Sequence, residues 1–289
     1  MSSIPHNVEN GNEISNSVSN FMKEFQIGQL LFKCNAKKVK GIPVIKVFRY
    51  LFFLVFSDRS MYMQKKTGVF DGSFCKNTVY RFLNNPRLNW LRFTTLLSAR
   101  IINGFMKPLT DENRRDVFII DDSLFDRSRS RKTEFLAKVF DHCSMKFKSG
   151  YHMLTLGWSD ANSFVPVNHC LLSAADDKNL LCEATNFDGR SLAGKRRKQS
   201  RRKATEVMID LKMAQLSGVS AKYVLFDSWF SSPKTITALK TDCGLDTSQW
   251  LRKAAKSNTV IRMADTTSKK STDSAKNAED ALGICSPLI

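Results

Sequence analysis

The stretch FIIDDSLFDRSRSRK, residues 118–132, decides how this chain is read, and its counterpart is YVLFDSWFSSP, residues 223–233. In each, a short apolar strand runs into aspartate. Val117–Ile120 leads to Asp121 and Asp122, and Tyr223–Phe226 leads to Asp227. Between them lies KRRKQSRRK, Lys195 to Lys203, with seven cations: Lys195, Arg196, Arg197, Lys198, Arg201, Arg202 and Lys203. Carboxylates at strand ends can meet on neighbouring strands and hold divalent metal, and a dense basic run holds phosphate. The combination points to metal-dependent phosphoryl chemistry on nucleic acid.

The elements around these runs fix a topology. Tyr151–Trp158 and Phe164–Leu172 read as two strands, with the polar loop 159–163 between them as in a hairpin. Ala204, Val207, Met208, Leu211 and Ala214 follow helical spacing, and Gly218 is placed to end that helix. The order is strand, hairpin, helix, strand. A helix between strands favours a crossover that sets the last strand parallel to an earlier one. The expectation is that Asp227 meets Asp122, or Asp121, across adjacent parallel strands.

Residues 17–110 carry the signs of an all-helical, DNA-binding region. Phe21–Phe32, Val44–Phe56, Thr78–Leu83 and Trp90–Ile102 are expected helices, with Asn77 as an N-cap and Asn84-Asn85-Pro86 as a break. The string TVYRFLNNP, residues 78–86, is where a DNA-contacting helix is expected; simple packing within a bundle gives the same pattern. Residues 1–16 are polar and expected to be disordered. Residues 111–246 form the catalytic region. The tail 247–289 has no Phe or Tyr and, past Trp250, no Trp, so it is expected to be poorly ordered.

Charge agrees with a nucleic-acid partner. The net charge is +18, with a pI near 9.7. Residues 1–110 carry 16 Lys and Arg against 5 Asp and Glu, and residues 111–246 carry 22 against 18. A second cluster, Arg127, Arg129, Arg131 and Lys132, follows the first aspartates. It either holds a DNA strand near the metals or pairs with Asp126 and Glu134. Trp229 and Phe230, after Asp227, read as core.

Several classes are excluded. The seven cysteines include no CxxC, so neither a disulfide framework nor a zinc ribbon is expected. The most apolar segment, 42–56, contains Pro43, Lys46 and Arg49 and is shorter than the ~20 residues of a membrane span. No signal peptide is visible, and a cytoplasmic, nucleoid-associated bacterial protein is expected. There is no P-loop, GxGxxG or GxSxG. A haloacid-dehalogenase-type site needs a DxD spacing, whereas these acids are adjacent.

At these residues the chain resembles bacterial insertion-sequence transposases of the DDE type. The matching stretches are FIIDDSLFDRSRSRK, residues 140–174 (FDHCSMKFKSGYHMLTLGWSDANSFVPVNHCLLSA), GKRRKQSRRKA, YVLFDSWFSSP and, nearer the start, TVYRFLNNPRLNW. The resemblance covers roughly residues 20–246. It implies an α/β, RNase H-like mixed sheet flanked by helices, preceded by an all-helical N-terminal domain. It also implies Mg²⁺ or Mn²⁺ as cofactor, held by two aspartates and a glutamate. Water would cut DNA at the element ends, and the freed 3′-hydroxyl would attack target DNA. The partners are then element ends, target DNA and, on paired ends, a second copy of the chain. Carried over, the second aspartate falls on Asp227 and the first on Asp122, with Asp121 the alternative. The family's glutamate sits in a Tyr-x2-Arg-x3-Glu-x6-Lys pattern that nothing here matches. Glu279 is the only glutamate after Glu206 and lacks those neighbours. The simplest account is a truncated or frameshifted copy. Two other readings stand beside the transposase: an inactive DNA-binding remnant competing for element ends, and a nuclease of the same fold.

Overall fold

A computed structural model describes residues 8–56, 60–68, 74–111, 114–208, 217–227, 230, 232–244 and 246–249. These residues lie in one compact unit, Met1–Leu251. Six helices come first: α1 (Val8–Glu24), α2 (Ile27–Lys33), α3 (Val44–Phe56), α4 (Met61–Lys66), α5 (Lys76–Leu83) and α6 (Trp90–Ile101). Then follow β1 (Val117–Asp126), β2 (Ala137–Asp141), β3 (Lys146–Ser159), β4 (Phe164–Leu172), α7 (Leu192–Ser200), the short α8 (Ala204–Val207), β5 (Tyr223–Phe226), α9 (Pro233–Cys243) and β6 (Asp246–Gln249).

The helical region corrects the sequence reading in three places. Residues 8–16, expected to be disordered, form the first turns of α1. Ile14, Val18, Phe21, Met22 and Phe25 recur at helical spacing and join the core of the helical region, which rewards ordering an otherwise polar segment. The single helix expected over Phe21–Phe32 is two, divided at Gln26, whose φ of 47° is left-handed. The break re-aims the chain so that Ile27, Leu30 and Leu31 are all buried. Asn77 lies inside α5, and Cys75 holds the cap position. The expected α3 matches its bounds residue for residue.

The sheet is mixed and six-stranded, in the order β2-β3-β1-β5-β6, with β4 also on β3. β3 is long enough to serve two partners. Its first part pairs antiparallel with β2, and its second part pairs antiparallel with β4. β1 pairs antiparallel with β3 and parallel with β5, as the crossover argument requires. β6, in a segment expected to be poorly ordered, adds a parallel strand beyond β5. This is the RNase H-like arrangement, an α/β fold preceded by helices. Of the helix expected over 204–214, Ala204–Val207 is helical and the residues from 209 lie outside the described ones.

Alternation on the strands sets the two faces of the sheet. Phe118 and Ile120 of β1, Leu154, Leu156 and Trp158 of β3, and Val224 and Phe226 of β5 enter one core. Ala99 and Ile102 reach the same core from α6 and the π-helical turn after it. Ser98 Oγ donates to the Pro166 carbonyl at 2.8 Å and fastens α6 to β4. At Gly150, where β3 crosses the end of β1, a Cβ would collide with the Phe125 carbonyl oxygen, so only glycine fits.

Candidate active site on strands β1 and β5

β1 does not end at the aspartates. It runs on to Asp126, so Asp121 and Asp122 sit mid-strand and face opposite sides of the sheet. The apolar run was too short a guide because Ser123, Leu124 and Phe125 continue the ladder against Met153, His152 and Tyr151.

Register then separates the two acids. The last pair of the parallel ladder is Ile120 beside Phe226. One position further on, Asp121 and Asp227 come side by side. Both follow the parity of Ile119 and Leu225, away from the buried side chains of Ile120 and Phe226. Burial lifts the Asp121 carboxyl above the ordinary range, a bond from a backbone N–H opposes this, and the negative charges of Asp122 and Asp227 lift it further. Asp122 shares the parity of Phe118 and Ile120. Its Oδ2 lies 3.1 Å from His152 Nδ1 on β3. That hydrogen bond holds the Asp122 carboxyl below its ordinary range against the opposing effect of burial. The sheet therefore brings Asp227 to Asp121 and assigns Asp122 a different neighbour. His152 was missed in the sequence; its one signal is its place in a strand predicted to pair near the aspartates.

The basic run is divided by its contacts. Lys195–Ser200 lies in α7, which Ser191 caps by accepting from Gly194 N at 3.0 Å. Arg197 Nε sits 2.8 Å from Glu134 Oε1 and its guanidinium lies over the Phe187 ring. Arg201 pairs with Asp177, also donates to the Ala175 carbonyl and lies over Phe135. Arg202 is exposed and faces Glu206 at 3.5 Å. Lys195, Arg196, Lys198 and Lys203 project into solvent. The run is thus part phosphate-binding surface and part clamp. Arg197 and Arg201 fasten α7 to residues more than twenty positions upstream, pairings that no local spacing announces.

The cluster after β1 has the opposite outcome. Arg127, Arg129, Arg131 and Lys132 are exposed on the loop beyond β1. The acids that could have neutralised them are engaged: Asp126 Oδ1 accepts from Ser128 N at 2.7 Å, and Glu134 holds Arg197. Arg127 rests over the Phe125 ring, its centroid 4.3 Å away. Phe230 is buried, as read; Trp229 lies outside the described residues.

Among the described residues no group of three or more His, Cys, Asp or Glu is placed to hold a metal ion. No described helix is long and apolar enough to cross a membrane. The sheet order, with acids on two adjacent parallel strands, agrees with the comparison against protein families. The model of the DDE superfamily endonucleases matches residues 71–256, which include the whole sheet, and the chain belongs to that family. No curated protein matches it.

Proposed function

We propose that this chain is a transposase of the DDE type, cutting and joining DNA at the ends of an insertion element, with Asp121 and Asp227 as its paired metal-binding carboxylates. The observation that carries this reading is the placement of Asp121 beside Asp227 on adjacent parallel strands, with Asp121 raised by burial and by the acids next to it. Two crowded oxygen donors fit a hard divalent cation such as Mg²⁺ or Mn²⁺, whose charge relieves their repulsion. Bound there, the cation supplies Lewis-acid activation of the attacking and leaving oxygens. The protein's own work is to hold the two carboxylates on a rigid sheet and to hold the DNA. Lys195, Arg196, Lys198 and Lys203 bind phosphates along α7, and Arg127, Arg129 and Arg131 extend the positive surface beyond β1. His152 keeps Asp122 ionised and turned to the other face.

The alternative is a DNA-binding remnant that competes for element ends without cutting. It is favoured by one observation: the described residues supply no third acid beside Asp121 and Asp227. One assay separates the two readings. Purified protein is incubated with labelled DNA spanning the borders of its own coding sequence, with Mg²⁺ or Mn²⁺. Cleavage that is lost in Asp227→Asn supports the transposase. Binding of the same DNA without cleavage supports the remnant.

A further inference from the structure

The helix α5 leaves one of its faces without an intramolecular role. Val79 and Phe82 are buried, at 1% and 9% exposure, and carry the packing. Asn77, Tyr80, Arg81 and Asn84 follow the spacing i, i+3, i+4, i+7, so they form one stripe on the other side. All four are exposed, and the Tyr80 ring is 51% open to solvent. Their side chains make no hydrogen bond or ion pair with another described residue. With Asn85 and Pro86 they line an open cavity of about 540 Å³.

The chemistry of the stripe is specific. Solvated helix faces ordinarily mix acids and bases, but from Gly72 to Thr110 the chain has no Asp or Glu. The stripe instead offers two amides, a guanidinium and a phenol. Amides and guanidinium groups are the side chains that bond in pairs to the edges of adenine and guanine in the major groove. Position adds a second observation. Ala193 N donates to the Pro86 carbonyl at 3.3 Å, joining the turn after α5 to the first turn of α7. The turn is also fixed from the other side, where Asn35 Nδ2 donates to the Arg87 carbonyl at 3.2 Å. The stripe is therefore held next to Lys195 and Arg196, a neighbour chain position away from a surface suited to phosphates.

We propose that α5 is the sequence-reading element of this protein: Asn77, Tyr80, Arg81 and Asn84 contact base edges in the major groove of duplex DNA, while α7 contacts the flanking phosphates. The proposal rests on the reading of the chain as a DNA-acting protein and adds what that reading lacks, the residues that choose the sequence. Contacts to phosphate set affinity and register, and contacts to base edges set the choice of site.

The test uses the full chain and a library of random 30-base-pair duplexes. Wild-type protein is expected to enrich a defined sequence. Arg81→Ala and Asn84→Ala should each lower affinity for that sequence by roughly 10-fold and relax the preference at one or two positions. Affinity for unrelated duplex, and its dependence on salt, should change by less than about twofold, because α7 carries that component. Both positions are exposed, and unchanged melting temperatures confirm folded variants. Variants that select and bind the same sequence as wild type would overturn the proposal. So would equal losses on selected and unrelated DNA, or a preference for single strands over duplex. Failure of the wild-type chain to bind any DNA would instead overturn the functional reading on which the proposal rests.

Discussion

Asp121 and Asp227 stand one position beyond Ile120 and Phe226, the last pair of the parallel β1–β5 ladder, and their negative charges act on each other. Asp122, next in the chain, is on the other face with His152. The three acids therefore separate under mutation. Asp121→Asn and Asp227→Asn should each reduce Mn²⁺-dependent cleavage of labelled border DNA by about 100-fold or more, and Asp122→Asn by less than about 10-fold. The reverse ranking of Asp121 and Asp122 would place the metal ligand on the wrong face of the sheet.

Stability should respond to pH with opposite sign at the two neighbours. The native Asp121 carboxyl is raised, so the fold binds its proton more tightly than the unfolded chain does. That advantage is complete below the ordinary carboxylate range near pH 4 and is lost as pH climbs through the raised native value. Asp121→Asn should then melt about 1–2 °C above wild type at pH 7 in chelator, and the gain should vanish on acidification. Asp122 is lowered, so its contribution is present above the ordinary range and disappears as pH falls through the native value. Solvent reaches about a third of both Asp122 and His152, at 31% and 32% of their side chains. The screened pair is worth a few tenths of a kcal/mol to about 1 kcal/mol. Asp122→Asn should melt slightly below wild type at pH 7 and equal to it in strong acid. Thermal melts across pH read both signs.

The division of the basic run predicts two kinds of lysine and arginine variant. Replacing Lys195, Arg196, Lys198 and Lys203 with Gln should flatten the slope of log affinity against log salt by up to about 3.6, at roughly 0.9 per phosphate. Arg197→Ala and Arg201→Ala should alter that slope little and destabilise the fold instead, each by about 1 kcal/mol once solvent screening is allowed for. Filter binding over a salt series, with chemical denaturation, distinguishes the groups. A slope insensitive to the four-residue change would mean that α7 does not touch DNA.

Gly150→Ala should cost about 1–3 kcal/mol, because its Cβ has to displace the backbone of Phe125 rather than a movable side chain. A chemical denaturation midpoint unchanged by the substitution would show that β1 and β3 can part at this crossing.

The sequence disclosed the elements whose signal is local and the pairing that a topological rule dictates. The β4 strand and α3 were readable from their apolar residues, and the parallel β1–β5 pair from the helix between them. The choice between Asp121 and Asp122 was not readable, because it depends on the phase of β1 relative to a strand about a hundred residues away. Nor was the clamping of Arg197 and Arg201, since Glu134 and Asp177 become their neighbours only after the sheet is assembled. Gln26 carries no signal for a left-handed residue, and β6 was hidden because four mostly polar residues gain strand geometry only by pairing with β5.

The borders of the sheet have a consequence for how the protein behaves at high concentration. Along one border, β2 and β4 lie end to end on β3, so the backbone groups facing outward are divided between five and nine residues. Leu181 N donates to the Leu136 carbonyl beside the shorter piece, and Pro166 interrupts the longer one with a residue that has no N–H to offer. The opposite border is β6, four residues long. Stacking of molecules into fibres needs a long, continuous row of unsatisfied backbone donors and acceptors, and the described borders provide only short or interrupted ones. A chain that gathers along DNA is thereby protected from polymerising through its own sheet.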